Sequence, residues 1–317
     1  MATIAGGPCT GPSPHAAPTA LAVDPAGDLF IAFGPSNRVE LLPAGHTSAI
    51  AGPVTPGSPV TIAGSGGAGF AGDGGSSRGS RLDDPTGVAV DPSGDVLIAD
   101  TGNCRLRLVA ASDGTRFGVS VTRGDIYTVA GTGTCGSSGD GGPSVGAELW
   151  DPGAVAVDAE GNVVVADQGN RTIRLLAATG GSHYGVPIAA GHLGTVAGEG
   201  SYGPYLVDGL SAVGQTAELN FPTAVAVDRS GNLYIADGAM HAIRFVPGGP
   251  ATLRGAQTQA GDMYTAAGAM GTGPLRTGTT WIQTRLLDPV GLAVSPGGAL
   301  IYADSQADVV RELPAAT

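Results

Sequence analysis

The chain writes one phrase five times: PTALAVDPAGDLFIAF from Pro18, PTGVAVDPSGDVLIAD from Pro85, PGAVAVDAEGNVVVAD from Pro152, PTAVAVDRSGNLYIAD from Pro222 and PVGLAVSPGGALIYAD from Pro289. Successive copies begin 67, 67, 70 and 67 residues apart. A period so regular means repeated supersecondary units, none of which buries its apolar face alone. Such units serve as scaffolds for many unrelated activities, so the repeat constrains the fold far more than the function.

Each copy reads as four strands. In the second, residues 87–91 are a short apolar run, Pro92-Ser93-Gly94-Asp95 is a turn, and 96–100 is the next strand. After the turn Thr101-Gly102-Asn103, residues 105–109 alternate polar and apolar, as a half-buried strand does. A looser stretch then leads to a fourth strand at 125–131. The near-continuous apolar character of the first two strands suits sheets covered on both faces. No segment has the length and period of an amphipathic helix.

Four-stranded antiparallel units repeated around an axis make a β-propeller, an architecture that leaves only short, protected sheet edges. The expectation is a single all-β domain over residues 1–317, a five-bladed propeller with blades at 18–64, 85–131, 152–198, 222–268 and 289–317 plus 2–6. The last copy stops after its third strand, 309–313, and Ala2-Thr3-Ile4-Ala5-Gly6 carries the wording of the fourth. The N-terminal strand is therefore expected to join the C-terminal blade and close the ring.

Gly161-Asn162-Val163-Val164-Val165-Ala166-Asp167-Gln168-Gly169-Asn170 and Gly139-Asp140-Gly141-Gly142-Pro143 are nearly the wording of NHL repeats. The resemblance extends over most of the chain. It implies a propeller, though six blades are commoner in that family than five. Some NHL propellers hold single-stranded RNA on a basic face, but phosphate binding needs clustered cations. Here the net charge is −12, the fifteen basic residues are all Arg, and they are scattered. Nucleic acid and anionic membrane are thereby set aside as partners. Related propellers also include amidating lyases with histidine-held zinc, and strictosidine synthase-like and lactonase-like enzymes. The five histidines, His15, His46, His183, His192 and His241, form no matching set.

Comparison among the copies singles out a pair of positions. Asp100, Asp167, Asp237 and Asp304 end the second strand, and seven residues later stand Arg107, Arg174, Arg244 and Arg311. Blade 1 carries Phe33 and Glu40 instead, so both members change together. A carboxylate facing a guanidinium makes a charge-assisted contact. A feature copied into four blades reads as structural. Asp73 and Asp140, in Gly-Asp-Gly-Gly turns, lack the oxygen density of a calcium loop and read as residues capping their own turns.

Of the three cysteines, Cys104 and Cys135 fall in loops that a propeller places on one face, so a disulfide is geometrically allowed; unpaired thiols are the other reading, and Cys9 is left over in both. No spacing indicates a metal site, and no cofactor is expected. No run approaches the ~18 apolar residues of a membrane span. Met1-Ala2-Thr3-Ile4 has no leader character. Low charge and Gly, Ser and Thr richness favour an exported or cell-surface domain over a cytoplasmic one.

The connections between blades, 65–84, 132–151, 199–221 and 269–288, are long and differ most in wording. Loops beyond ~12–15 residues are usually functional or disordered. These connections and the turns after the second strands carry Phe33, Phe70, Trp150, Tyr202, Tyr205, Phe221 and Trp281, against Phe117 and Tyr184 on the opposite face. Aromatic side chains favour recognition surfaces. The reading is a monomeric, non-catalytic scaffold for a protein, peptide or carbohydrate ligand, with Trp150, Tyr202, Tyr205, Trp281 and Phe33 as ligand-binding candidates. The alternative is a lyase- or hydrolase-type enzyme using carboxylates at the channel mouth.

Overall fold

The repeated phrase folds into the inner hairpin of each blade. In blade 2, Pro85–Val90 pairs antiparallel with Val96–Asp100, which pairs with Arg105–Val109, which pairs with Asp125–Ala130. The aspartate of the phrase builds the first turn: Asp91 Oδ1 accepts hydrogen bonds from the Ser93 and Asp95 amides, both at 2.8 Å. Asp24, Asp158 and Asp228 do the same two and four residues on. In blade 5 the Ser295 hydroxyl takes over, accepting from Ala299 N–H at 3.0 Å. The residue four positions on then reaches across the sheet. Asp28, Asp95, Asn162 and Asn232 each accept from the amide sixteen residues further along, at 2.7, 2.6, 2.8 and 3.3 Å, fixing the end of the third strand.

A computed structural model describes residues 17–200, 207–214, 218–253, 255–268 and 286–315. The protein is an all-β, five-bladed propeller. Blades 1 and 2 belong to one compact unit and blades 4 and 5 to another, the change falling within the first strand of blade 3, Pro152–Val157. In the first unit, blade 1 is a four-stranded sheet of Ala20–Val23, Leu29–Phe33, Arg38–Leu42 and Val60–Ala63. In the second, blade 4 runs Pro222–Val227, Leu233–Asp237, Ala242–Val246 and Asp262–Gly268. Blade 5 shows three strands among the described residues, Pro289–Val294, Leu300–Asp304 and Val309–Leu313. The expected closing strand, residues 2–6, lies outside the described residues.

Two features go beyond the four-strand expectation. The looser stretch between third and fourth strands is a small separate hairpin, Gly114–Arg116 with Val119–Val121 in blade 2 and Gly181–His183 with Val186–Ile188 in blade 3. The long connections also lay a fifth, two-residue strand on the outer edge of a blade: Gly75–Ser76 on blade 2 and Leu210–Ser211 on blade 4. Covering an outermost strand in this way removes a row of unpaired backbone groups.

The second strands of blades 2, 3 and 4 are buried throughout: Val96, Leu97, Ile98 and Ala99 have no exposed surface, nor have Val163 to Ala166. Neighbouring blades are clasped by threonine. Thr19 Oγ1 donates to the Pro85 carbonyl at 2.8 Å and Thr223 Oγ1 to that of Pro289 at 2.6 Å. At blade 2 the bond to Pro152 O, 2.8 Å, comes from Thr101 Oγ1, itself 2.6 Å from Thr86 Oγ1. The glycine closing each fourth strand is required by close approach. A Cβ on Gly131 would stand 2.5 Å from the Cys104 carbonyl oxygen, and one on Gly64, Gly198 or Gly268 meets the same obstacle.

Candidate functional site

The divergent connections are anchored at the end of the second strand. Asp100 is fully buried there, and its Oδ1 accepts the Asp83 amide at 2.7 Å, from the last turn of the incoming connection. Asn103 Nδ2 donates to both carboxylate oxygens at 2.9 Å, and Arg107 Nη1 lies 3.2 Å from Oδ2. Asp237 accepts from the Asn220 and Phe221 amides at 2.9 and 3.0 Å, and Asp304 Oδ1 from those of Leu287 and Asp288 at 3.0 and 2.8 Å. Each aspartate thus pins the connection just before it enters the next strand. Burial pushes the Asp100 and Asp237 carboxyls above the usual carboxylate range, outweighing these hydrogen bonds.

The arginines tie down the earlier part of the same connections. Arg107 Nη2 meets Asp73 Oδ1 at 2.6 Å and Arg174 Nη2 meets Asp140 Oδ1 at 2.5 Å. Arg244 Nη2 lies 3.5 Å from Asp208 Oδ1 and donates to the Val207 carbonyl at 2.8 Å. Asp73 and Asp140 therefore do more than cap their own turns: flanking glycines with φ of +94° and +75°, and of +95° and +76°, set each carboxylate against a buried guanidinium. The sequence signal was available in the offsets, 34 residues from Asp73 to Arg107 and from Asp140 to Arg174.

The Asp–Arg positions are direct partners in blades 2 and 3, where Arg174 Nη1 is 3.3 Å from Asp167 Oδ2. In blade 4 Arg244 is turned to Asp208 instead, and Arg311 makes no ion pair with Asp304 among the described residues. Blade 1 inverts the arrangement. Glu40 occupies the arginine position and pairs with Arg38 Nε at 2.9 Å, while the Arg38 guanidinium stands 5.8 Å from the centre of the Phe33 ring. Phe33 and Glu40 change together because one cation, Arg38, serves both.

A third anchor is the residue closing the turn after each second strand. Asn37, Cys104, Arg171, His241 and Asp308 all adopt left-handed φ between 51° and 55°, a conformation that non-glycine residues seldom take. From it Asn37 Oδ1 accepts the Asp84 amide at 2.9 Å, and His241 Nδ1 sits 2.6 Å from the Leu287 carbonyl. Cys104 and Cys135 are joined by a disulfide with Cα atoms 5.4 Å apart. One backbone position ties the connection by a different chemistry in each of these blades.

Among the ligand-binding candidates, Trp150 is 49 % exposed on its connection. Phe33 is only 3 % exposed, which removes it from any recognition surface: the strand end that carries it is packed inside the blade. Tyr202, Tyr205 and Trp281 lie outside the described residues. Two further aromatics are presented, Phe221 and Phe70. The Phe70 ring lies under Arg105, 3.8 Å away, and Arg107, 4.8 Å away, so its inner side is engaged by cations. On the opposite hairpins Tyr184 is buried, and that burial raises its hydroxyl pKa. Among the described residues no three His, Cys, Asp or Glu side chains are grouped to hold a metal.

Five antiparallel blades carrying buried Asp–Arg anchors and variable connections define a β-propeller of repeated NHL-type units. The NHL repeat model matches residues 82–107, the stretch running from Leu82 to the buried Arg107. The chain is a β-propeller that carries an NHL repeat at residues 82–107. No curated protein matches it in sequence. Among solved structures it resembles a Bacteroides thetaiotaomicron protein of unknown function, with TM-score 0.58 and 15% identity over 92% of this chain and 57% of the other. An auxiliary nutrient binding protein from Bacteroides ovatus gives 0.55 and 14% over 95% and 59%. A streptogramin B lyase gives 0.50 and 10% over 96% and 70%. The chain spans less than two thirds of the length of the first two. At such identities the likeness is one of fold.

Proposed function

We propose that this propeller is a binding scaffold whose long connections hold a protein, peptide or carbohydrate ligand, with Trp150 as a principal contact. The observation that carries this reading is the half-exposed Trp150 on a connection whose backbone is fixed at several points. Within the same unit the disulfide joins Cys135 of that connection to Cys104, and the Leu149 carbonyl accepts the Gly136 amide at 3.1 Å. A large aromatic held on a rigid loop buries much area on binding and loses little entropy. Tyr202, Tyr205 and Trp281, on the corresponding later connections, are proposed to contribute in the same way. The solved nutrient-binding propeller supports a binding role, and the lyase shows that the fold also carries catalysis. Here the Asp100, Asp237 and Asp304 carboxylates are buried beneath hydrogen bonds, which favours binding over a mechanism that uses them.

The disulfide also supports an oxidising compartment, hence an exported or cell-surface protein. Among the described residues no helix is long and apolar enough to cross a membrane. The test is a glycan and peptide array probed with the wild type and with Trp150→Ala. A ligand retained by the wild type and weakened by more than about 1 kcal/mol in the variant, at unchanged melting temperature, supports the reading. Equal affinity of the two proteins for every ligand found overturns the role of Trp150.

A further inference from the structure

A cavity of about 340 Å³ opens at the other end of blade 2, bounded by Ile50 and Ala51 of blade 1, by Ser76 and Arg78 of the edge-covering segment, and by Arg123 and Asp125. Two arginines thus line one cavity in a chain whose net charge is −12. Elsewhere in this unit, arginines at cavities and cores are engaged: Arg38 by Glu40, Arg107 by Asp73 and Asp100, Arg116 by Asp95. Arg78 makes no hydrogen bond or ion pair among the described residues. Among the described residues the Arg123 side chain gives only its Nε, to the Ala49 carbonyl at 2.8 Å, and its two terminal nitrogens have no partner there.

That single bond matters, because it holds the Arg123 guanidinium against the small hairpin of Thr47–Ser48 with Gly52–Pro53 in blade 1 while leaving its forked end available. The backbone around it is fixed as well. The Ser77 amide donates to the Gly124 carbonyl at 3.1 Å and the Gly124 amide to that of Ala110 at 2.8 Å. Asp125 is the acidic group of the lining and makes no ion pair among the described residues, so two cations face one anion. A planar guanidinium with paired free N–H groups matches the oxygens of a carboxylate or a tetrahedral oxyanion. Sequence separation hid the site, since Arg78 and Arg123 are 45 positions apart.

We infer that this cavity is an anion-binding site taking one oxyanion group, the carboxylate of a small organic acid such as a uronate or a free inorganic anion, between Arg78 and Arg123. The volume is at the lower end of small-molecule pockets, which sets one small group or sugar ring as the occupant. The site is separate from the connection carrying Trp150 and stands whether or not that reading holds.

The experiment is titration of the intact chain, by calorimetry and thermal shift at constant ionic strength, with glucuronate, sulfate and phosphate, and with glucose as the neutral control. Saturable binding of an anion but not of glucose is expected, weakened at least tenfold in Arg78→Gln/Arg123→Gln and unchanged in Trp150→Ala. Glucuronate binding identifies an organic acid as ligand, and binding of sulfate or phosphate alone identifies an inorganic one. A melting temperature of the double variant within a degree or two of wild type confirms that it folds; should it fall, Arg78→Gln alone, at an exposed residue, carries the test. No saturable binding of any anion, or equal binding by the folded variants, overturns the inference.

Discussion

Replacing Asp100 by Ala is expected to be among the most damaging single changes in blade 2. The substitution takes the carboxylate from a guanidinium with no exposed surface and from the Asp83 amide and the Asn103 side chain. Breaking a buried pair by removing one partner costs about 3–5 kcal/mol. Asp73→Ala removes the other partner of Arg107, but that carboxylate is 38% exposed and water can replace it. For such a pair the cost falls to about 1 kcal/mol or less. Urea unfolding followed by circular dichroism, extrapolated linearly, gives both values.

Blade 1 supplies the sharper test. Its Phe33 and Glu40 depend on Arg38, and blade 2 already has an arginine at that register position, since Arg105 pairs with Asp100 as Arg38 pairs with Phe33. In an Asp73→Asn background, which removes a facing negative charge, Asp100→Phe with Arg107→Glu should recover at least half of the loss caused by Asp100→Ala. The same exchange at Asp167 and Arg174 should recover nothing, because Thr172 stands where the arginine is needed. If the Asp100 and Arg107 changes add to within about 0.5 kcal/mol, the positions are uncoupled and the account of blade 1 is wrong.

Reducing the Cys104–Cys135 disulfide, or replacing both residues by Ser, should lower stability by about 3.7 kcal/mol on the loop-entropy relation for a separation of 31 residues; a loss under about 1 kcal/mol in denaturant titrations with and without reductant would count against it. Because burial raises the Asp100 and Asp237 carboxyls, the native chain binds these protons more tightly than the unfolded one. Their contribution is complete below the ordinary aspartate value of about 3.9 and is lost as pH rises through the native pKa. Asp100→Asn should therefore flatten the pH dependence of unfolding free energy above pH ~4, and an unchanged slope would refute the sign. We also propose that residues 2–6, which repeat the wording of a fourth strand, pair with Val309–Leu313, where Val310 is 71% exposed. Deleting residues 1–7 should then lower the melting temperature markedly, and an unaltered melt would rule the pairing out.

The strands were legible because two local signals agreed in four of the five copies, with Ser295 replacing the turn aspartate in the fifth. Apolar runs gave the strand positions, and the Asp-x-x-Gly turns gave the breaks, so the expected 96–100 and 105–109 coincide with Val96–Asp100 and Arg105–Val109. The hairpin Gly114–Arg116 with Val119–Val121 was not legible, since each arm is only three residues long and the first carries no apolar side chain. The coupling of the Asp and Arg positions could be seen from their joint replacement in blade 1. The third member, Asp73 or Asp140, was masked: its constant 34-residue offset from the arginine was there to be read, but its turn is also what a self-capping Gly-Asp-Gly-Gly would look like. Phe33 misled because its place at a strand end put it beside a loop, while the cation that buries it, Arg38, lies across the hairpin.

What distinguishes these blades is which end of each anchor varies. In blades 2, 4 and 5 the aspartate at the second-strand end meets backbone amides, which every connection possesses whatever its sequence. The left-handed residue four positions later has no such universal partner. It is Asn, Cys, Arg, His or Asp, and its contacts are a hydrogen bond to an amide, a disulfide to a second cysteine and a hydrogen bond to a carbonyl in blades 1, 2 and 4. A connection can thus diverge in side chains without losing its first anchor, and then acquires a second suited to its own course. That division lets the wording of 65–84 drift while the entry into Pro85 stays fixed. On the connection of Trp150 the Cys104–Cys135 disulfide and the Gly136 to Leu149 hydrogen bond hold the backbone, so a residue there can vary in type while staying rigid in position, the combination a recognition residue requires.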